Sequence, residues 1–224
     1  MYRYIKRCVD ILCASIGIIG TAPVWLIAIG GILISDPGKI LYVSTRLGKD
    51  NKPFKMYKFR SMKVDQSADE SSLRADSSRI FPFGNLMRQL KIDELPQLIN
   101  VLNGSMSVIG PRPVAVDQKH LFRVGRWNKA SRVSVGLSGP AALYDFIYGD
   151  EITDEDEYMK KVYPTRRELE FVYVNKMGFL YDAKMIYYTI VGICYRVLGK
   201  NPHWMLRNLI CEAEESMNAN KSVL

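Results

Sequence analysis

Two adjacent carboxylates near the middle of the chain, Asp93 and Glu94, are the residues that most directly suggest chemistry. Proline is tolerated only in the first turn of a helix, so Pro96 predicts a helix that begins at or near Asp93. Such a turn has free N–H groups and a positive dipole end, which favour a bound phosphate. A carboxylate there can attack phosphorus if a divalent cation neutralises the charge repulsion. The alternative is structural, because Asp is a preferred N-cap and Glu is favoured in a first turn. The buried stripe predicted for this helix is Leu95, Leu98, Ile99 and Leu102.

A rigid loop is predicted around Arg112, because Pro111 and Pro113 fix the backbone on either side. Such a loop presents a planar, fork-shaped cation that suits phosphate oxygens. A diphosphate substrate needs more than one arginine, and Arg79 and Arg88 lie in the same part of the chain. The alternatives are a structural turn with an exposed Arg112 and structural ion pairs for the other two.

Two further candidate substrate contacts, Lys58 and Arg60, lie near the end of a predicted strand, FKMYKFRSM at 54–62. This strand and KILYVSTRLG at 39–48 are predicted to form a hairpin. The alternative for these cations is a solvated or lipid-facing basic surface. No Walker loop or dinucleotide glycine fingerprint is present, so neither ATP nor NAD is indicated. The candidate residues together suggest phosphoryl transfer assisted by a divalent cation.

The candidate residues follow an uncharged apolar stretch at 11–34. A helix of this length matches the ~30 Å hydrocarbon core of a bilayer. Pro23 lies at its centre, where it breaks or bends a helix. Cations flank both ends, and cationic flanks prefer the cytoplasmic side. The sequence therefore predicts a helix–break–helix that enters and leaves one face of the membrane, with an ordinary signal-anchor span as the alternative.

The formal net charge of +8 suggests either nucleic acid or an anionic membrane surface with phosphorylated ligands. The cations cluster at 39–63, beside the apolar stretch, which favours lipid headgroups. No nucleic-acid-binding pattern is visible, so we expect no nucleic-acid partner. The four cysteines form no C-x-x-C pair, which indicates a reduced domain without a zinc site.

These features predict an α+β fold that is mostly helical with a small β-hairpin or sheet. The predicted units are a re-entrant membrane segment at 1–35, a cytoplasmic catalytic domain at 36–212 and a frayed tail at 213–224. Residues 182–198 and the segment around Trp204 are amphipathic and rich in aromatic residues. They suit helices at the membrane interface, with a core-packing helix as the alternative.

The run LKIDELPQLINVLNGSMSVIGPRP at 90–113 resembles the signature of the bacterial sugar transferases, the monotopic phosphoglycosyl transferases. Three upstream features match the same family in order: the lysine–arginine pair and aspartate before the apolar stretch, then DPGKILYVSTRLG, then FKMYKFRSM. The close resemblance covers residues 6–114, and a weaker one runs from 164 through YVNKMGFLYDAKMIYYT.

This resemblance implies an enzyme that moves a sugar 1-phosphate from a UDP-sugar to undecaprenyl phosphate and releases UMP. It implies that Asp93 is the nucleophile, forms a covalent phosphosugar intermediate and binds the required Mg²⁺. Glu94 would act as its acid–base or orienting partner. It also implies a re-entrant helix broken at Pro23 and a location at the lipids of the bacterial inner membrane, with the catalytic domain on the cytoplasmic face.

The chain departs from the family pattern in two places. Ala22 stands where many members have a serine before the breaking proline, so another group must satisfy the backbone there, and Thr21 is a candidate. The segment GLSGPAALYDFIYGDE at 136–151 replaces a segment that contains an arginine and an asparagine in many members. We expect it to shape specificity, while the sugar, the pathway and the oligomeric state stay open. A different class of function, a non-catalytic membrane-surface binding or scaffold protein, would use the basic flank but leaves the DELPQL and GPRP runs unexplained.

Overall fold

The structure, a computed structural model, describes residues 2–63, 77–152 and 154–221. Its helices are α1 (Tyr2–Gly20), α2 (Ala22–Ser35), α3 (Pro82–Gln89), α4 (Gln97–Leu102), α5 (Lys119–Phe122), α6 (Pro140–Ile147), α7 (Glu155–Lys161), α8 (Tyr163–Lys176), α9 (Phe179–Val197) and α10 (His203–Lys221). Its strands are β1 (Leu41–Leu47), β2 (Pro53–Phe59), β3 (Ser107–Ile109), β4 (Val114–Ala115) and β5 (Gly136–Ser138). This arrangement agrees with the predicted mostly helical α+β class.

The apolar stretch forms two helices, α1 and α2, which are bent by 60° at their junction. Pro23 lies in the first turn of α2, where its missing N–H costs no hydrogen bond. The Thr21 hydroxyl donates to the Gly17 carbonyl at 2.6 Å and accepts from the Trp25 indole at 3.1 Å. Thr21 therefore connects the two helices through its side chain. The Gly17 carbonyl also accepts the Thr21 backbone N–H at 3.0 Å, so Thr21 does not satisfy a carbonyl freed by the break, as the sequence had suggested it could. Within the described residues no single helix meets the length and hydropathy expected of a membrane span, whereas α1 and α2 together do.

The predicted hairpin is confirmed, because β1 and β2 pair antiparallel from Leu41 opposite Phe59 to Leu47 opposite Pro53. A short 3-10 turn, Lys49–Asn51, connects them. Strand β4 pairs antiparallel with the other edge of β1, so the sheet order is β2-β1-β4. The hairpin thereby presents Lys58, near the end of β2, to the segment around Asp93.

A separate two-stranded parallel sheet, β3 with β5, supports the loop that carries Arg112. A Cβ atom on Gly136 would lie 2.1 Å from the backbone nitrogen of Gly110, and one on Gly139 would lie 2.3 Å from the Gly110 carbonyl oxygen. No real side chain tolerates such distances, so this approach of two backbones requires glycine. Strand β5 ends at Ser138 and α6 begins at Pro140, so only Gly139 separates the strand from the helix.

The main hydrophobic core lies between α6, α8, α9 and α10. Helix α10 continues to Lys221, and Ala213 is fully buried in this core. The Ser216 hydroxyl also contacts the Glu168 carboxylate at 2.5 Å. Residues 213–221 are therefore helical, with Ala213 and Ser216 packed against the rest of the protein, and not the predicted frayed tail; residues 222–224 lie outside the described part of the chain.

Helix α9 is amphipathic, as predicted. Its inner face buries Met185, Tyr188 and Gly192. Its other face exposes large apolar side chains, including Leu180, Tyr187 and Ile190. Such an exposed apolar face is typical of a surface that contacts something other than water.

Buried polar contacts attach α1 to the rest of the protein. The Asp10 carboxylate accepts hydrogen bonds from the Ser107 hydroxyl at 2.8 Å and the Val108 backbone N–H at 2.9 Å. Lys6 lies 2.6 Å from Asp182 at the start of α9. Because an unpaired buried charge is costly, these contacts fix how α1 lies against the start of β3.

Candidate active site

Asp93 lies in a 3-10 turn, Ile92–Glu94, and not at the start of an α-helix as predicted. The segment is closed by i to i+3 hydrogen bonds, such as Leu95 N–H to the Ile92 carbonyl at 3.1 Å, and α4 begins only at Gln97. A 3-10 turn has three residues per turn, so the buried face differs from the face that α-helical spacing predicts. The buried residues of α4 are Gln97, Leu98, Asn100 and Val101, whereas Ile99 and Leu102 are exposed.

The Asp93 side chain is buried, with 5% of its surface exposed. Its Oδ1 has no hydrogen-bond partner among the residues that the structure describes. Burial raises the pKa of Asp93 above its usual value, Lys58 opposes this effect, and the Glu94 charge adds to it. Since α4 and its preceding turn are short, the positive environment of Asp93 comes from nearby side chains and not from a helix dipole.

Glu94 has the opposite environment from its neighbour. Its Oε1 lies 2.7 Å from the Lys58 Nζ, and both side chains are largely buried. Burial alone would raise its pKa, but Lys58, Lys91 and Arg112 together hold the pKa of Glu94 well below its usual range. Glu94 is therefore the ionised partner that holds Lys58 beside Asp93, which fits an orienting role better than that of a proton donor.

The backbone of the Arg112 loop is held from two sides. The Pro111 carbonyl accepts from the Gly136 N–H at 2.8 Å. The Arg112 carbonyl accepts from the Arg123 guanidinium at 3.1 Å. Arg123 is itself fixed by Glu170, 2.6 Å away in a fully buried ion pair. The loop thus has the rigidity that Pro111 and Pro113 predicted.

The Arg112 side chain is oriented by Asp145 in α6, whose Oδ2 lies 3.6 Å from the Arg112 Nε. Asp145 is held in turn by the Tyr158 hydroxyl, which donates to Oδ1 at 2.6 Å, and by Arg166 at 3.3 Å. The contact occupies the Nε side of the guanidinium. Because Asp145 belongs to the segment that departs from the family pattern, sequence comparison gave no reason to select it.

Lys91 is a second residue that the sequence analysis did not select. It immediately precedes the 3-10 turn, and its Nζ lies 3.4 Å from the Asp150 carboxylate. The signal that could have identified it is its charge, because Lys91 is the cation nearest to Asp93 in the sequence.

Among the predicted substrate contacts, the structure brings Lys58, Arg88 and Arg112 toward the two carboxylates. Arg88 lies close enough to lower the pKa of Asp93, and its guanidinium also contacts the Met62 sulfur at 3.8 Å. The Arg112 charge likewise lowers the pKa of Glu94.

Arg60 and Arg79 have other partners. Arg60 is buried, forms an ion pair with Asp36 after α2 and donates to the Lys39 carbonyl at 2.6 Å. Arg79 donates to the Lys63 carbonyl at 3.0 Å. The contacts of Arg60 hold the chain leaving α2 against β2, and Arg79 shows no contact with Asp93, so the substrate contacts of these two residues stay predictions.

The site suits a divalent cation that is shared with a substrate. In residues 2–63, 77–152 and 154–221 no three His, Cys, Asp or Glu side chains are grouped so that they could hold a metal alone. Mg²⁺ is commonly bound by one or two carboxylates together with substrate phosphates, and keeps several waters. The unpartnered Oδ1 of Asp93 is an available ligand of this kind.

The sequence of residues 1–196 matches the family model described as bacterial sugar transferase. The chain belongs to this family. This membership confirms the resemblance found at 90–113. A UDP-glucose:undecaprenyl-phosphate glucose-1-phosphate transferase of Escherichia coli is 34% identical over 192 residues, which are 84% of this chain and 40% of that protein. The sugar transferase chain therefore spans less than half the length of that relative.

Two other relatives are closer in length. The exopolysaccharide production protein ExoY of Sinorhizobium fredii is 31% identical over 84% of this chain and 85% of its own length. A putative undecaprenyl-phosphate N-acetylgalactosaminyl 1-phosphate transferase of Bacillus subtilis is 47% identical over half of this chain and 63% of its own length. The names of these relatives include different sugars, so they do not select one for this sugar transferase.

Proposed function

We propose that this sugar transferase moves a sugar 1-phosphate from a UDP-sugar to undecaprenyl phosphate. The observation that carries the proposal is a buried Asp93 whose Oδ1 has no partner within the described residues, with Lys58, Arg88 and Arg112 nearby. A buried carboxylate kept unpaired among cations is costly to maintain, and such an arrangement is typical of a functional site.

In the proposed first step, a carboxylate oxygen of Asp93 attacks the phosphorus that bears the sugar. A bond forms between that oxygen and phosphorus, the bond from phosphorus to the oxygen shared with UMP breaks, and UMP leaves. In the second step, a phosphate oxygen of undecaprenyl phosphate attacks the same phosphorus and displaces Asp93. The carboxylate is regenerated and the product is an undecaprenyl-diphosphate sugar.

Each residue of the site has a different role in the proposed reaction. Lys58 and Arg112 lie where they can neutralise the charge that develops on the phosphate oxygens. Glu94 keeps Lys58 in place. We expect Asp93 to hold a Mg²⁺ ion together with substrate oxygens, and that ion would lower the repulsion between the carboxylate and the diphosphate.

We further propose that α1 and α2 form a re-entrant membrane segment on the cytoplasmic side of the bacterial inner membrane. The 60° bend and the cations at both ends of the stretch support entry and exit through one face. The exposed apolar face of α9 supports contact with the same interface. In that position the site lies where a lipid-linked phosphate can reach Asp93.

The test is a panel of UDP-sugars incubated with undecaprenyl phosphate and Mg²⁺, with UMP as the readout. We expect UMP release from at least one donor, and a loss of more than about 1,000-fold in Asp93→Asn. Asparagine removes an unpaired buried charge, so the variant should remain folded. Asp156→Asn, an exposed residue of α7, is the matched control.

Omission of the acceptor gives a second readout. Mass spectrometry of the peptide that contains Asp93 should then show the mass of one sugar phosphate. UMP release that is unchanged in Asp93→Asn would contradict the assignment of the nucleophile. The absence of UMP with every donor would favour a non-catalytic membrane-surface protein instead.

A further inference from the structure

Lys91 adopts an unusual backbone conformation directly before the catalytic turn. Its φ of 58° and ψ of 19° place it in the left-handed region, which lysine rarely occupies. The Glu94 N–H donates to the Lys91 carbonyl at 3.2 Å and so closes the turn that carries Asp93. Strained residues of this kind cluster at ligand-binding and catalytic sites, where surrounding structure maintains them.

The Lys91 side chain reaches the segment in which this chain departs from its family. Its Nζ lies 4.9 Å from the centre of the Phe146 ring and 3.4 Å from an Asp150 carboxylate oxygen. Both partners belong to residues 136–151. The aromatic contact limits where the ammonium can go, whereas the Asp150 side chain is 42% exposed. A long, partly exposed ion pair contributes little and is easily exchanged for another anion.

Lys91 is also part of the backbone that positions the two catalytic carboxylates. It precedes Asp93 by two residues, and its carbonyl accepts the Glu94 N–H that closes the turn. The Arg112 side chain is held in a similar way, because Asp145 lies 3.6 Å from its Nε. Lys91 and Arg112 are therefore two cations beside one catalytic turn, and each is held by a carboxylate of the 136–151 segment.

We propose that Lys91 is a further phosphate-binding residue of this site. Its ammonium pairs with Asp150 in the free protein and contacts substrate phosphate oxygens instead when substrate binds. This inference rests on the proposed function. The phosphate can be the diphosphate of the nucleotide sugar or the phosphate of the lipid acceptor, because both present the same oxygens to an ammonium.

The test compares Lys91→Met with Asp150→Asn, since the two changes break the same ion pair. If Lys91 binds phosphate, Lys91→Met weakens substrate binding about 10- to 100-fold. Asp150→Asn releases Lys91 from a competing anion and is expected to tighten binding about two- to fivefold. Lys161→Met removes one member of an exposed ion pair with Glu157 and is the matched control.

A second variant protects the test against misfolding. Lys91→Gly removes the cation but suits the left-handed backbone, so it is expected to fold at least as well as the parent and to bind as weakly as Lys91→Met. Thermal unfolding of every variant is measured alongside. The KM values for the UDP-sugar and for the polyprenyl phosphate show which phosphate Lys91 contacts.

Equal weakening by Lys91→Met and Asp150→Asn would overturn the inference, because it would show that the ion pair is only structural. Unchanged binding in both Lys91 variants would overturn it as well. Direct titrations with UDP and with the polyprenyl phosphate need no turnover, so together they test Lys91 even if no UDP-sugar releases UMP. Turnover of the parent protein with no effect in the Lys91 variants would reject this inference alone.

Discussion

The Lys58 ammonium lies 2.7 Å from Glu94, whereas the adjacent Asp93 keeps its buried Oδ1 unpartnered in the part of the chain that the structure describes. Two neighbouring carboxylates thus have different electrostatic states. Asp93 is available for a bond to an incoming group, whereas Glu94 is paired with the Lys58 ammonium. This division follows from the 3-10 turn, which directs consecutive side chains about 120° apart.

The Lys58–Glu94 pair predicts strong coupling in a double-mutant cycle. Lys58→Met leaves a largely buried Glu94 without its nearest counter-ion and should lower the free energy of unfolding by about 1–3 kcal/mol. Adding Glu94→Gln should recover part of that loss but none of the UMP release, because Lys58 is still absent. Urea unfolding and UMP release from the four proteins check this. Additive stability effects would contradict the pair's importance.

We predict that replacement of Arg112 selectively removes transition-state stabilisation. Arg112→Ala should lower kcat/KM for the UDP-sugar by about 100-fold, and Arg112→Lys should restore only part of it because the guanidinium fork is lost. Arg132→Ala, an exposed arginine of the following 3-10 segment, is the control. An unchanged kcat/KM in Arg112→Ala would remove this residue from the site.

We predict that Glu212 contributes to the stability of the fold in a pH-dependent way. Burial alone would raise its pKa, but the Lys184 ammonium and the Tyr181 hydroxyl, each 2.6 Å away, lower it. A carboxylate with a lowered pKa in the folded state stabilises the fold above its unfolded pKa, and this stability disappears as the pH falls through the folded value. Glu212→Gln should therefore reduce the unfolding free energy by about 1–2 kcal/mol at pH 7 and by progressively less below about pH 4.5. A difference that stays constant down to acidic pH would contradict the assignment.

The re-entrant proposal predicts that both ends of the α1–α2 unit face one side of the membrane. Single cysteines replace the exposed Tyr4 and Lys39 in a background without the four native cysteines. A membrane-impermeant maleimide applied to inside-out vesicles should label both, and applied to sealed right-side-out vesicles should label neither. Labelling from opposite sides would establish a span instead. Position 4 is preferable to position 2, because the Tyr2 hydroxyl contacts Asp182.

Local patterns were sufficient for several parts of this fold. Alternation of apolar and polar residues predicted the β1–β2 hairpin, and Pro23 marked the junction of α1 with α2. The two prolines around Arg112 predicted a rigid loop. Each of these features depends on residues close together in sequence, where turn chemistry and periodicity act directly.

The remaining parts of the site depend on contacts between distant residues. Asp145 and Asp150 follow β5 in the chain and contact Arg112 and Lys91 in a fold where β5 pairs with β3, and no local pattern specifies that pairing. Arg60 directly follows β2 and is two residues from Lys58 in sequence, but only tertiary packing shows that its partner in the free protein is Asp36. The prediction of an α-helix starting at Asp93 was wrong for a different reason. Hydrogen bonds from i to i+3 give this turn three residues per turn, whereas the predicted buried stripe assumed α-helical spacing.

The backbone contact of Gly136 and Gly139 with Gly110 has a consequence for engineering. A Cβ at either position would overlap the chain that leads into the Arg112 loop, so these two sites cannot carry diversity in a library. The α6 positions that follow them are free of this limit. We expect residues 136–151 to shape donor preference, and an exchange between family members would test this by grafting residues 140–151 as one block. A joint after Gly139 lets the graft bring its own partners for the site cations and leaves the strand junction unchanged.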